Sequence, residues 1–145
     1  MTAYQMAYAF FILPHGLLAM TITTTFLPKI AHEAASDNME GFSDKIIQGL
    51  KILMLMMIPA SVGYMLIGHP LLVTTLHHGA FTIDDATLTS GALIMFAVGL
   101  FPFSAYLFML RGFYALSNTK TPFKLNVVEN MINIVLAIPL TKLMI

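Results

Sequence analysis

MTAYQMAYAFFILPHGLLAMTITTTFLP, residues 1–28, contains no Asp, Glu, Lys or Arg. About 20 consecutive apolar residues are enough to cross the hydrocarbon core of a bilayer, so this stretch predicts a membrane-spanning helix. It has no basic start and outruns the roughly 7 to 15 apolar residues of a cleavable signal peptide, so it is expected to stay in the protein. Working outward, the charges vanish again from Ile52 to Ile83 and from Ala86 to Leu110. A weaker stretch begins at Leu125, contains Glu129, and is cleanly apolar only from Met131 to Leu140. The expected fold is all-α, a polytopic transmembrane helix bundle of four kinked spans at about 3–28, 52–76, 86–110 and 125–143.

Composition points the same way. Of 145 residues, 58% are apolar and 10% charged, against roughly 25% charged in an ordinary soluble domain. With a mean hydropathy of +0.83, the chain lacks the polar groups to cover a water-exposed surface. A net charge of zero and the absence of cysteine leave no basic field for nucleic acid, no disulfide framework and no thiolate chemistry. No cofactor is expected.

Basic residues set the orientation, because Lys and Arg are retained on the cytoplasmic side. Lys29, Lys45 and Lys51 flank the first connection, and Arg111, Lys120 and Lys124 flank the third; the second, around His77 to Asp85, has none. The first and third connections are therefore expected in the cytoplasm, with Lys142 alone dissenting. Within the first, Phe42, Ile46, Leu50 and Leu53 recur at helical spacing, which predicts an amphipathic segment over residues 37–51, capped by Asp37 with Glu40. In the outer connection, Thr82 or Asp84 can cap the next helix.

Each apolar segment carries an internal proline near its middle or end, Pro14, Pro59, Pro102 and Pro139, and the second has Pro70 as well. A proline frees a backbone carbonyl that a neighbouring helix or a hydrated cavity must satisfy, so these prolines read either as bends of a moving bundle or as ordinary membrane-helix composition. Asn126, Glu129, Asn130 and Asn133 are spaced by three or four and share a stripe about 100° wide. They are candidates to line a hydrated cavity; the competing reading has the asparagines joining helix to helix with Glu129 at the interface. Tyr4, Tyr8 and His15 share a face of the first span if the helix continues through Pro14, with His15 a candidate for the cavity or for packing. Enzyme signatures are missing. His77 and His78 project about 100° apart, unlike a zinc helix, and the pair Asp84 and Asp85 reads better as a helix start than as a magnesium site. No metal site and no catalytic residue are assigned.

Several short strings, taken in order, resemble one family. They are Leu13-Pro14-His15-Gly16, Phe26-Leu27-Pro28, Ile58-Pro59-Ala60, His69-Pro70, His78-Gly79-Ala80-Phe81-Thr82 with Asp85-Ala86, and Arg111-Gly112-Phe113-Tyr114-Ala115 with Thr119-Lys120-Thr121-Pro122. This ordered set is similar to the C-terminal lobe of MurJ/MviN-type lipid II flippases, members of a larger exporter superfamily that includes polysaccharide flippases and multidrug antiporters. The resemblance covers nearly all of the chain but only the eighth to eleventh spans of the family's two-lobed transporter, so it implies a fragment.

The resemblance implies a multi-pass protein of the bacterial cytoplasmic (inner) membrane that moves an undecaprenyl-diphosphate-linked peptidoglycan precursor to the outer leaflet by alternating access. Its implied partners are membrane lipids, the lipid-linked precursor, and the remainder of the transporter or a partner chain that supplies it. A lateral opening beside the first segment would make Pro14 and Gly16 candidate gate or hinge residues. Relatives commonly place a cavity arginine about five residues before the first proline, where this chain has Ala9. Arg111 is then the remaining arginine, either an anionic-headgroup contact or an interfacial anchor. Two alternatives stay open: another exporter of the superfamily, or a stand-alone four-span scaffold that homo-oligomerises through Gly63, Gly68, Gly91 and Gly99.

Overall fold

The computed structural model describes residues 3–76 and 83–144. A first rod is built of α1 (Ala3–Pro14), a π-helical turn (His15–Ala19) and α2 (Met20–Ala35). It is followed by α3 (Met39–Leu76), α4 (Ile83–Ala115) and α5 (Lys120–Met144). Every described element is helical. Three rods are long and apolar enough to cross a membrane: Tyr4–Ala35, Met39–Thr75 and Ala86–Ala115. The segment expected as a fourth span lies within α5 but is not among those three. Glu129 and three asparagines dilute its apolar surface.

The two turns expected in the cytoplasm are built alike. At the end of α2, Asp37 takes the left-handed conformation (φ 55°), its N–H bonds to the Ala34 carbonyl at 3.3 Å, and the Asn38 N–H reaches the Glu33 carbonyl at 3.0 Å. At the end of α4, Ser117 (φ 56°) bonds to Tyr114 at 2.9 Å and Asn118 to Phe113 at 3.0 Å. This paired closure satisfies the last carbonyls of each helix. The asparagine that completes it also starts the next helix: Asn38 Oδ1 accepts the Gly41 N–H at 3.1 Å, and Asn118 Oδ1 the Thr121 N–H at 3.2 Å. By sequence alone the first cap is expected on Asp37. The structure corrects this to Asn38, because Asp37 is used up by the left-handed bend that turns the chain.

The amphipathic segment over 37–51 leads into the second membrane-crossing rod. It runs unbroken into α3, since Phe42, Ile46, Leu50, Leu53 and Met57 lie on one continuous side packed against the rest of the bundle. Near that end, Gly49 receives the ring of Phe108 and Gly112 receives Ile46. The first rod, α3 and α4 enclose the core, with Phe11, Phe26, Ile30, Leu53, Met57, Leu93, Leu100 and Phe108 buried. By contrast, α5 touches α4 near the connecting turn, and beyond Asn126 its side chains are exposed through Pro139.

Helices continue through all the prolines that were read as bends. The carbonyl freed by Pro14 is that of Phe10, four residues earlier. It accepts the Tyr64 hydroxyl of α3 at 2.6 Å, so a neighbouring helix satisfies it, one of the two solutions open to a membrane helix. Replacing Tyr64 by Phe removes that donor and is expected to cost about 1 kcal/mol. The measurement is the unfolding midpoint in detergent, which should fall without loss of membrane insertion.

Candidate functional site

Two regions gather the residues singled out in the sequence. The first is the groove between α4 and α5. The cap on Asn118 starts α5 beside the end of α4, and one helical turn and a half later the Tyr106 hydroxyl donates to Asn126 Oδ1. That contact ties α5 to the bundle. Above it the two helices enclose an open groove of about 450 Å³ lined by Tyr106, Leu125, Val128, Glu129, Ile132 and Asn133. Asn130 turns aside and donates its amide to its own helix, at the Asn126 carbonyl, 2.8 Å away. Of the predicted stripe, then, Glu129 and Asn133 line the groove, Asn126 anchors its floor, and Asn130 lies beside it. A carboxylate and a carboxamide on the wall of a groove between mostly apolar helices can hold water or a polar group at a depth where lipid cannot.

The second region is the bend in the first rod. Pro14 is followed directly by the π-turn, closed by the Met20 N–H on the His15 carbonyl, five residues back. Gly16 sits in this turn with open space where a Cβ would stand. His15 does not reach the α4–α5 groove. It is buried at 7% exposure, with Nδ1 2.9 Å from Ser104 Oγ of α4 and its ring 5.0 Å from that of Phe103. Tyr4, Tyr8 and Phe11 extend this contact along α4, their rings 5.3, 6.2 and 5.4 Å from Phe96. The shared face of the first span is thus an aromatic seam against α4.

Arg111 lies half-buried near the end of α4, its guanidinium 3.5 Å from the Met20 sulfur. The Lys29 ammonium stands over Phe26 at 5.4 Å. His77 and His78 lie outside the described residues, as do the side chains of Asp84 and Asp85. Among the described residues no three metal-ligating side chains come together.

Four polar residues that the sequence did not single out prove structural: Tyr106, Tyr64, Ser104 and Ser61, whose hydroxyl bonds to the Ala97 carbonyl at 2.7 Å. Ser61 and Tyr64 stand three apart, a spacing that puts them on one side of α3, but two hydroxyls in an apolar run do not say which carbonyls they meet.

The entire chain, residues 1–145, matches the family described as Lipid II flippase MurJ. It belongs to that family. The Lipid II flippase MurJ of Thermosipho africanus is 34% identical over 134 residues, which is 92% of this chain and 27% of the relative. Probable lipid II flippases MurJ of Haemophilus influenzae and Borreliella burgdorferi are 31% and 30% identical over 87% and 91% of the chain. The chain spans about a quarter of the length of the curated relatives it matches, 26% or 27% in these three. No solved structure matches. The MurJ family is one of transporters, and its membership together with the apolar helices makes this a multi-pass protein of the bacterial cytoplasmic membrane.

Proposed function

We propose that the chain forms one side of the passage of a MurJ-type flippase, which carries a lipid-linked, diphosphate-bearing cell-wall precursor to the outer leaflet by alternating access. The observation that carries this reading is the family match over the whole chain, joined to a groove with a carboxylate on its wall. A diphosphate sugar loses its hydration in hydrocarbon, a cost far beyond thermal energy, so such cargo needs a wet, polar route. In this reading α5 completes a fourth span, Glu129 and Asn133 face the passage, Asn126 ties α5 to α4 through Tyr106, and Asn130 lies beside the passage. The remainder of the transporter closes the open side of α5.

Pro14, the π-turn and Gly16 form the bending point beside the lateral entry. His15 serves the bend from inside the packed seam and does not contact cargo. Arg111 anchors α4 at the cytoplasmic headgroups. No covalent step is needed: the protein exchanges hydration for its own polar groups and changes which side the passage opens to.

The test is Glu129→Gln in the complete transporter that contains this segment, reconstituted with lipid-linked precursor. Removing the carboxylate while keeping its shape is expected to lower the transport rate about tenfold, equivalent to about 1.4 kcal/mol in the barrier, with insertion unchanged. Flux equal to that of the parent would remove Glu129 from the passage.

A further inference from the structure

The π-turn over His15–Ala19 holds one residue more than an α-helix of the same rise, and such turns are seldom kept without a use. Its neighbourhood leaves it room to reorganise. Pro14 offers no N–H to the Phe10 carbonyl, and Tyr64 of α3 takes that place at 2.6 Å. The Thr21 and Thr23 hydroxyls bond to the Leu17 and Ala19 carbonyls at 2.6 and 2.7 Å, a back-bonding that competes with the helical ladder and favours bending. Gly16 has open space beside it and Leu17 is 69% exposed, so the outer side of the turn is unobstructed. Its inner side is pinned by one buried polar contact, His15 Nδ1 to Ser104 Oγ at 2.9 Å.

If the turn relaxes to α-helix without losing a residue, α1 must rotate by about 100° and slide by about 1.5 Å relative to α2. Tyr4, Tyr8 and Phe11 meet Phe96 through edge-on and tilted rings, contacts that do not interlock. The new register brings Ala9, now exposed, to the place of Tyr8, and Tyr8 to the place of Ala7, which is 0% exposed, so α1 must also draw away from α4 as it turns.

We infer that the His15–Ala19 turn is a two-state register switch: in its π form Tyr8 packs on Phe96, and in its α form Ala9 replaces Tyr8 there, with the His15–Ser104 contact latching the first state. The switch rests on the alternating-access reading, for which it supplies the movement of α1, but it can be read out without following cargo.

The chain contains no cysteine, so introduced pairs report cleanly from this segment. In the complete transporter, in native membranes, the pairs Tyr8→Cys with Phe96→Cys and Ala9→Cys with Phe96→Cys are treated with a short bis-maleimide. Both links are expected to form. Adding His15→Ala should raise the Ala9 link at least about twofold at the expense of the Tyr8 link. Deleting Leu17 removes the extra residue while keeping Gly16, so the turn becomes plain α-helix with Tyr8 still on Phe96. That variant is expected to keep the Tyr8 link, lose the Ala9 link and fall about tenfold in turnover, a change set by the barrier to alternation.

The inference is overturned if the undeleted chain transports normally without ever forming the Ala9 link, or if the deletion leaves turnover within about twofold of the parent. Should the deleted protein fail to accumulate, the cysteine pairs in the undeleted chain still decide. Failure of the flippase reading looks different: the parent then moves no lipid-linked precursor, whichever links it forms.

Discussion

Gly49→Ala is expected to lower the stability of the bundle by about 1–3 kcal/mol, the cost of overpacking a filled core. A Cβ built on Gly49 would stand 2.2 Å from Cζ of Phe108 and 2.9 Å from its Cε1. Phe108 has nowhere to go. Its side chain is 1% exposed and its ring meets Phe26 edge-on, at 6.5 Å and 75°, so relief requires α3 to move away from α4 along their shared seam. The unfolding midpoint of the detergent-purified protein measures the loss. Gly63 is the control, since nothing lies within 4 Å of its would-be Cβ, and Gly63→Ala should hold or raise stability, by up to about 1 kcal/mol, the advantage of Ala over Gly inside a helix. Phe108→Leu added to Gly49→Ala should recover part of the loss by vacating the contact. A midpoint unchanged by Gly49→Ala would mean that the seam is not packed as described.

Ser104→Ala is the second large effect. It leaves the buried His15 Nδ1 without its partner, and an unsatisfied buried polar group costs about 1–3 kcal/mol. Removing both partners together, as His15→Phe with Ser104→Ala, should cost less than Ser104→Ala alone, because the desolvated nitrogen disappears with the ring. The quantity to measure is the coupling from the four-member cycle, for which interhelical hydrogen bonds in membranes average about 0.6 kcal/mol. Strictly additive single effects would show that the two side chains are neighbours without being partners.

The long uncharged runs found their helices because hydropathy summed over a span does not depend on what the span touches. The stripe from Asn126 to Asn133 was visible because helical geometry carries every third or fourth residue to one side. Its division was not: Asn126 was drawn to Tyr106, twenty positions away, while Asn130 folded back on its own backbone. Pro14 by itself implies that a freed carbonyl needs a donor, but only the packing of α3 makes that donor Tyr64. The π-turn itself left no mark in the pattern, since an extra residue in a helix becomes apparent only when both flanks must meet fixed neighbours.

The cap at the first turn shows the same limit on a shorter scale. Asp37 and Asn38 are both good capping residues, and local preference does not choose between them. The choice fell to Asn38 once the end of α2 required its neighbour in the left-handed conformation.

What the amino-acid order alone determined is that this protein is made of membrane helices and which family's motifs it carries. Each of these is a sum over nearby residues or an ordered string. The three-dimensional packing decided which hydroxyl answers which carbonyl, that His15 belongs to a seam and not to the groove, and where a helix keeps a spare residue. Those outcomes depend on partners such as Ser104, 89 positions from His15, and Tyr64, 54 positions from Phe10. Only the closing of helix upon helix brings such pairs within bonding distance.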